Sequence, residues 1–507
     1  MTPIYIGNNP NPAAIFKGLT EIGKVYKGNV LVWQKFTYGL WIEFKTTSSG
    51  SFTFTLDTED ILSGDLKFDM GDGTEYLATS PPTHTYLDST EKTVRVYRGG
   101  GDLTNAIENL FLNKKNITYA DLSKVDKIHA TAADIRLGEN SNLTDVTFAN
   151  SITGVIYRLE LFSTGFIGTL DLSMFDNLHA TGTIFTLHSN SSITGVTFAN
   201  NITGKLLSLW LYSCNITGTL DLSMFENLHA TLGNIRLQFN SNLTGVTFAT
   251  SITGKLQILY INHCDLTGTF DLSMFDDLHA TAADIRINNN SNLTDVTFAT
   301  SITGVMQRLY INHCDLTGTF DLSMFENLHA TAADIRLNNN SNLTDVTFAT
   351  SITGVMRYLY LYSCGLTGTL DLSMFTDLHA TAFISIYSNP SLTGVTMPSA
   401  TGTLFRFTAY SCDLGYIDFT GIPDALAVSG SAISLQNNNM TATEVDHILV
   451  DLASLVDEEG AGGDYTSREI NIGGTNAAPT DGTSTGYDGL AAKTALEDKG
   501  ISVTVTT

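Results

Sequence analysis

The eleven His and five Cys are the residues in this chain best suited to acid–base, nucleophilic or metal chemistry, and most of them recur at regular spacing. The tripeptide His-Ala-Thr begins at His129, His179, His229, His279, His329 and His379, a step of 50 residues each time. Catalysis needs a histidine set apart by its surroundings. Six equivalent histidines are better explained by a turn that every unit shares. His263 and His313 each precede a cysteine, which raises the question of zinc. Neighbours along a strand point to opposite faces, however, and the chain has no C-x-x-C pair, so no metal site is expected. Cys214, Cys264, Cys314 and Cys364 are also 50 apart, and Cys412 fills the matching place in the last unit. Alternate coils of a stack would lie about 9–10 Å apart by strand spacing. A disulfide needs Cα atoms within about 7 Å, so the thiols read as free and buried.

The remaining polar motifs are equally repetitive. Asp171, Asp221, Asp271, Asp321 and Asp371 stand in Asp-Leu-Ser and read as turn or cap residues. Ca²⁺ would have Asp72 and the repeated Asp/Asn turns to bind, but neither an EF-hand nor a G-G-x-G-x-D nonapeptide is present. The chain carries neither G-x-S-x-G nor a Walker-type loop. No catalytic residue and no cofactor are therefore expected, and the chain does not read as an enzyme. Asn142, Asn242, Asn292 and Asn342 lie in Asn-x-Ser/Thr sequons that arise from the repeated Asn-Leu-Thr and read as structural.

Length and composition set the frame for these motifs. The 507 residues hold 26 Lys and Arg against 51 Asp and Glu, for a net charge of −25, and 43% are hydrophobic. That apolar fraction supports a buried core, while the negative sign argues against nucleic acid and anionic membrane as partners. No run of about 20 apolar residues predicts a membrane-spanning helix. The first residues, MTPIYIGNNPNP, lack the basic and apolar regions of a secretory signal.

Repetition decides the architecture. Segments 251–300 and 301–350 differ at only 6 of 50 positions. Each 50-residue unit has two similar halves, Leu309-Tyr-Ile311-Asn-His-Cys314-Asp-Leu316 and Ile335-Arg-Leu337-Asn-Asn-Asn340-Ser-Asn-Leu343. Alternating Leu309 and Ile311 predict a short strand with one buried side. Leu316, Phe320, Leu322 and Phe325 would bring the chain back around a core that only stacked coils can bury. Asn290 and Asn340 fall where an inward amide can bond the turn that leaves the strand. Both halves are versions of L-x-L-x-x-[N/C]-x-L, which resembles the leucine-rich repeat. About 14 such coils, from Leu110 to about Met440, are counted.

The ends differ from the array. Residues 1–36 contain Ile15-Phe-Lys-Gly18, Lys24-Val-Tyr-Lys-Gly28 and Val30-Leu-Val-Trp33. This run resembles the N-terminal segment of bacteriophage virion proteins, and the resemblance implies an anchoring role for Ile15, Phe16, Val25, Tyr26, Val32 and Trp33. Residues 37–99 alternate as strands around Gly71-Asp72-Gly73-Thr74 and His84-Thr-Tyr86. They resemble the PKD-type, immunoglobulin-like sandwich, with Met70 where that family usually carries Trp. His84 and Tyr86 read as supports of the turn. In residues 441–507, Thr441-Ala-Thr-Glu444 is a capping box that opens an amphipathic helix. A second helix over about 489–498 and a last strand from Ile501 follow, and Asn476-Ala-Ala-Pro479 with that strand resembles the ends of phage-borne leucine-rich repeat proteins. The expected fold is thus mainly β: a small sandwich (37–99), a leucine-rich repeat solenoid (100–440) and an α/β cap (441–507).

A surface is what remains for function. The outward positions of the repeat gather Trp210, Tyr260, Tyr310 and Tyr360, followed two places on by Tyr212, Asn262, Asn312 and Tyr362. The other half contributes Arg286 and Arg336 with Asn288 and Asn338, and His263 and His313 follow closely. Such ladders suit recognition of glycan or protein on a concave face, although near-identical duplication would also produce them without any ligand. Together with the resemblances, they imply a non-enzymatic virion component: a fibre, decoration or adhesion protein. It would assemble in the host cytoplasm and contact other virion proteins and host surface polymer. A bacterial cell-surface adhesin is the alternative. A homo-oligomer is compatible with this reading, though no heptad pattern indicates a coiled coil.

Overall fold

The computed structural model describes residues 15–17, 20–22, 24–27 and 30–34 as strands, then residues 38–58, 66–99, 106–422, 425–457 and 465–507. The chain is mainly β, with a β-solenoid of about 13 turns and two helices. Fourteen L-x-L strands run from Ile107–Phe111 to Ala432–Ser434, and thirteen turns separate them. The count of about 14 coils is therefore one too many: it numbers strands, while a turn needs the next strand to complete it. Two compact units divide the chain, Met1–Ile167 with Asp171–His179 and Gly168–Leu170 with Ala180–Thr507.

In the first unit, two hairpins come first, Ile15–Lys17 with Thr20–Ile22 and Lys24–Lys27 with Val30–Gln34. The long strand Tyr38–Thr46 then pairs antiparallel with Lys92–Gly99 on one side and with Ile117–Leu122 on the other. Ile117–Leu122 is a return strand of the first solenoid coil. Thr55–Thr58 likewise pairs antiparallel with Ile107–Phe111, the first L-x-L strand. Segment 38–99 thus covers the first coil on both of its sheets and leaves neither as an exposed edge, the usual origin of unwanted strand pairing. Its own core is aromatic, with Trp41, Phe44, Phe52, Phe68 and Tyr86 at most 2% exposed. The Gly-Asp-Gly turn is held from within. Tyr86 donates its hydroxyl to the Met70 carbonyl at 2.8 Å, and His84 Nε2 meets Asp72 Oδ2 at 2.7 Å.

In the second unit, the L-x-L strands form a continuous parallel ladder from Thr183–Thr186 to Ala432–Ser434. The return strands pair two by two instead, as Thr267–Leu272 with Asn292–Phe298 and Thr317–Leu322 with Asn342–Phe348. The two halves of a 50-residue unit return by different sequences, Thr-Gly-Thr-Phe-Asp-Leu and Asn-Leu-Thr-Asp-Val-Thr-Phe, which is why the repeat is double. Between the layers lie Leu309, Ile311, Leu316, Leu322 and their equivalents. Phe rings meet edge-on down the stack, with Phe248–Phe275, Phe298–Phe325 and Phe348–Phe375 each 5.0 Å apart.

The turn that leaves each L-x-L strand is polar yet buried, and asparagine makes it stable. Asn340 Oδ1 accepts the Leu316 N–H of the preceding coil, while its Nδ2 donates to Ile311 O and Leu337 O at 2.9 and 2.6 Å. Asn140, Asn240, Asn290, Asn389 and Asn438 bond in the same way, and every one is at most 1% exposed. From Cys214 onward the intervening coils carry cysteine, while the coil after Asn140 carries Thr164 in that place. Cys314 Sγ donates to Ile287 O at 3.7 Å, and all five cysteines are free and buried. Burial pushes the Cys264 and Cys314 thiols up to about 12 and those of Cys214, Cys364 and Cys412 up to about 11.

The C-terminal segment prolongs the ladder. Glu469–Asn471 pairs parallel with Ala432–Ser434, and Ser502–Thr504 pairs with Glu469–Asn471. Helices α1 (Ala442–Asp457) and α2 (Gly489–Asp498) replace the return strands. The Thr441 N–H donates to Glu444 Oε2 at 2.7 Å, which closes the capping box. Asn476 repeats the asparagine motif: its Oδ1 accepts the N–H of Asn438 and Met440, and its Nδ2 donates to Leu435 O and Ile472 O. The helices meet where a Cβ on Gly489 would lie 2.0 Å from Asp446 Oδ1. Asp446 itself is fully buried and accepts the Thr480 N–H and the Thr480 and Thr485 hydroxyls. Among the described residues no helix is long and apolar enough to cross a membrane.

Two outcomes are expected. Asn340→Ala strips partners from three buried backbone groups and should lower stability by about 3–5 kcal/mol, whereas exposed Asn342→Ala should stay within about 0.5 kcal/mol. Urea unfolding followed by circular dichroism compares them. The five thiols have folded pKa values above the ordinary value of 9.0, so their contribution is complete below pH 9 and declines as pH rises toward 11–12. Tm should fall across that window, and less steeply in a variant with all five changed to Ala.

Candidate functional site

The open side of the L-x-L ladder in the second unit is built by strand alternation. Leu309 and Ile311 point into the core, so Arg308, Tyr310 and Asn312 point out. Parallel pairing then sets like positions side by side, Tyr260 beside Arg286 and Arg286 beside Tyr310. The result is a column of alternating rings and guanidinium groups. Arg236 lies 5.4 Å from the Trp210 ring and 5.2 Å from that of Tyr260. Arg286 lies 4.6 Å from Tyr260 and 5.0 Å from Tyr310. Arg336 lies 4.5 Å from Tyr310 and 5.0 Å from Tyr360. Stacking of this kind is worth about 0.5–1 kcal/mol at exposed sites and more where water is excluded.

Two aspartates that the repeat pattern did not single out lock the column. Asp284 takes two bonds from Arg286, at 2.8 and 2.8 Å, and Asp334 takes two from Arg336 at the same distances. Tyr260 donates its hydroxyl to Asp284 Oδ2 at 2.9 Å, and Tyr310 donates to Asp334 Oδ2 at 2.6 Å. Arg308 reaches Asp284 Oδ2 at 3.2 Å. Hydrogen bonds to the aspartates hold the Arg286 and Arg336 pKa values above the ordinary arginine value. Burial, reinforced by the aspartates, keeps the Tyr260 and Tyr310 phenols above theirs. Guanidinium stays charged and phenol neutral. The signal was present in Ala-Ala-Asp-Ile-Arg, since Asp284 and Arg286, two residues apart on a strand, share a face.

Tyr260 and Tyr310 have guanidinium groups on both sides and spend their hydroxyls on Asp284 and Asp334, so they offer a ligand their edges and no free face for a sugar. A second column runs beside the first. In it Asn262, Asn288 and Asn312 occupy the middle coils half-buried, the side-chain amides of Asn262 and Asn312 bonding to no other described residue, while Asn338 is buried. Aromatic stacks flank them. Tyr212 lies on His188 at 4.2 Å, and Tyr362, Tyr387 and Tyr410 stack in sequence at 4.6 and 4.5 Å. Tyr387 and Tyr410 do not stand out in the sequence because the last coils depart from the 50-residue step.

The histidines have structural places. His263 and His313 sit in the left-handed region at φ +57° and +55°, at the turn that ends each strand. His263 stacks on Phe239 at 4.9 Å, and His313 Nε2 meets Asn339 Nδ2 at 3.2 Å. In the His-Ala-Thr units, Nδ1 of His229, His279 and His329 accepts the backbone N–H three residues on, at 3.1–3.2 Å. Asp221, Asp271, Asp321 and Asp371 each accept the N–H of the serine two residues on, at 2.8–2.9 Å. Among the described residues no group of three or more His, Cys, Asp or Glu is placed to hold a metal ion. The side chains of Ile15, Phe16, Val25, Tyr26, Val32 and Trp33 lie outside the described residues.

In comparisons with known proteins, no family model matches this chain, and no curated protein or solved structure matches it.

A left-handed backbone costs a residue with a Cβ about 1–2 kcal/mol. His313→Gly should therefore leave Tm unchanged or raised, and His313→Val should lower it, both read by differential scanning calorimetry against the parent chain.

Proposed function

We propose that this chain is a non-enzymatic component of a bacteriophage virion, whose repeat solenoid displays the ladder side for binding host surface polymer or another virion protein. The observation that carries the binding part is the Trp210–Arg236–Tyr260–Arg286–Tyr310–Arg336–Tyr360 column with its aspartates. Side chains locked by packing and mutual hydrogen bonds lose little entropy on meeting a ligand, which favours recognition. The regular repetition suits a partner that is itself periodic.

The virion part rests on the N-terminal run through Val30-Leu-Val-Trp33 and on its resemblance to virion proteins. Leucine-rich repeat and PKD-type modules are consistent with the L-x-L-x-x-[N/C]-x-L pattern and with the Asp72–His84 turn, and both serve as scaffolds for display. A bacterial surface adhesin would carry the same modules.

Mass spectrometry of purified virions should find this polypeptide as a stoichiometric component. Its absence there, with presence on the bacterial surface, would favour the adhesin. Tyr260→Ala, Tyr310→Ala and Tyr360→Ala together unlock the arginine column and should weaken attachment to host cells about tenfold or more. Unchanged attachment would leave a structural role without adhesion.

A further inference from the structure

We propose that the open side of the L-x-L ladder in the second unit binds a linear anionic polysaccharide laid across the coils. The proposal rests on the surface-binding reading above and specifies its ligand.

Charge is sorted between the two sides of this solenoid. Between residues 180 and 440 the sequence holds eight Lys and Arg against eighteen Asp and Glu. Six of the eight bases, Arg236, Arg286, Arg308, Arg336, Arg357 and Arg406, stand on L-x-L strands. Among the described residues only Asp284 and Asp334 of the acids do. The L-x-L strands therefore carry a surplus of four positive charges in a chain whose net charge is −25, and five of the six arginines, all but Arg357, alternate with inward residues and so face out. The return side carries exposed Asp221, Asp271, Asp321 and Asp371. A polyanion is repelled by the return side and drawn to the ladder, so the field selects the face as well as the ligand.

Several of the six arginines have cationic capacity to spare. Asp284 is already shared by Arg286 and Arg308. Among the described residues, Arg236 donates only to the neutral Asn234 amide, at 3.0 Å. Arg406 is exposed and lies beside the Phe383 and Phe405 rings. Arg357 lies 4.9 Å from the Tyr358 ring, and its Nε is buried without a partner among the described residues. Guanidinium groups are suited to two-point bonding of carboxylate and phosphate.

The same face disfavours other polyanions and neutral glycans. The Tyr260 and Tyr310 rings have guanidinium on both sides, which denies a stacking platform to a nucleic acid base or a neutral sugar. Charge and the free amides of Asn262 and Asn312 remain, and amides suit sugar hydroxyls. The asparagine amides recur at every coil, about 4.8 Å apart, and the arginines Arg236, Arg286 and Arg336 at every second coil, about 9–10 Å apart. A polymer meets them in series only by crossing the strands, which sets its direction.

The test uses the full chain with labelled polygalacturonate, a phosphate-bearing mannan and neutral dextran, followed by fluorescence anisotropy. At least one polyanion should bind at least tenfold more tightly than dextran, and the arm that binds separates carboxylate from phosphate. Its affinity should fall steeply as salt shortens the Debye length from about 30 Å at 0.01 M to about 3 Å at 1 M. Arg357→Gln with Arg406→Gln should weaken it about tenfold, and Arg357→Lys with Arg406→Lys should restore most of it at equal Tm. Dextran binding as tightly as the polyanions, or salt-independent binding, overturns the anionic ligand while leaving surface adhesion intact. Binding of neither polyanion also overturns it, whatever the virion composition proves to be.

Discussion

Each coil of this solenoid has to bury a turn whose backbone N–H and C=O groups face the core, and the inward asparagine meets that requirement. A buried unpaired backbone group costs about 1–3 kcal/mol, so a coil with several of them would not hold. An asparagine amide offers both a donor and an acceptor without charge. Asn340 spends its oxygen on the preceding coil and its nitrogen on that coil and its own. The bonds run between coils, so no coil is satisfied without its neighbour, and the array is stable only as a stack. Cysteine serves in the alternate coils because there the backbone N–H groups are already bonded by the next asparagine, as Asn389 bonds the Cys364 N–H. A small side chain that donates weakly is sufficient.

The ends follow from the same requirement. A stack of coils leaves an open core and unpaired strand edges at each extremity. In the first unit, Tyr38–Thr46 and Thr55–Thr58 close both sheets of the first coil by antiparallel pairing. Thr46 and Ser48 add hydroxyl bonds to Lys115 O at 2.6 and 2.7 Å, beside the turn that Asn140 serves. In the second unit the ladder continues through two more strands, and helices take over the return path. Asn476 carries the asparagine bonding into that last turn, so the segment is a variant of the coil as well as its cover.

The open side of the ladder inherits its order from this regularity. Because the turns fix the register, an arginine falls between two rings in successive units, as Arg286 does between Tyr260 and Tyr310. Asp284 then falls where it can hold both Arg286 and Tyr260. Bonding within the column keeps its side chains in one arrangement. The cost is that ring faces and hydroxyls are consumed internally, as Tyr260 spends its hydroxyl on Asp284 and its faces on Arg236 and Arg286.

The sequence by itself determined the coil. Leu309, Ile311 and Leu316 specify which positions are buried, and Asn340 and Cys314 specify which polar groups accompany them, because alternation and burial are local rules repeated many times. It also determined the capping box at Thr441 and the structural role of the repeated histidines, since these depend on residues two or three apart. Only the tertiary structure decided which side chains became partners. Asp284 with Tyr260, Arg236 between two rings, and Thr46 and Ser48 with Lys115 of the first coil all join residues distant in the chain, and they depend on register across strands. Pairing between strands is a matter of three-dimensional neighbours, and a one-dimensional pattern lists the members of each column without saying which of them spend their bonds on one another.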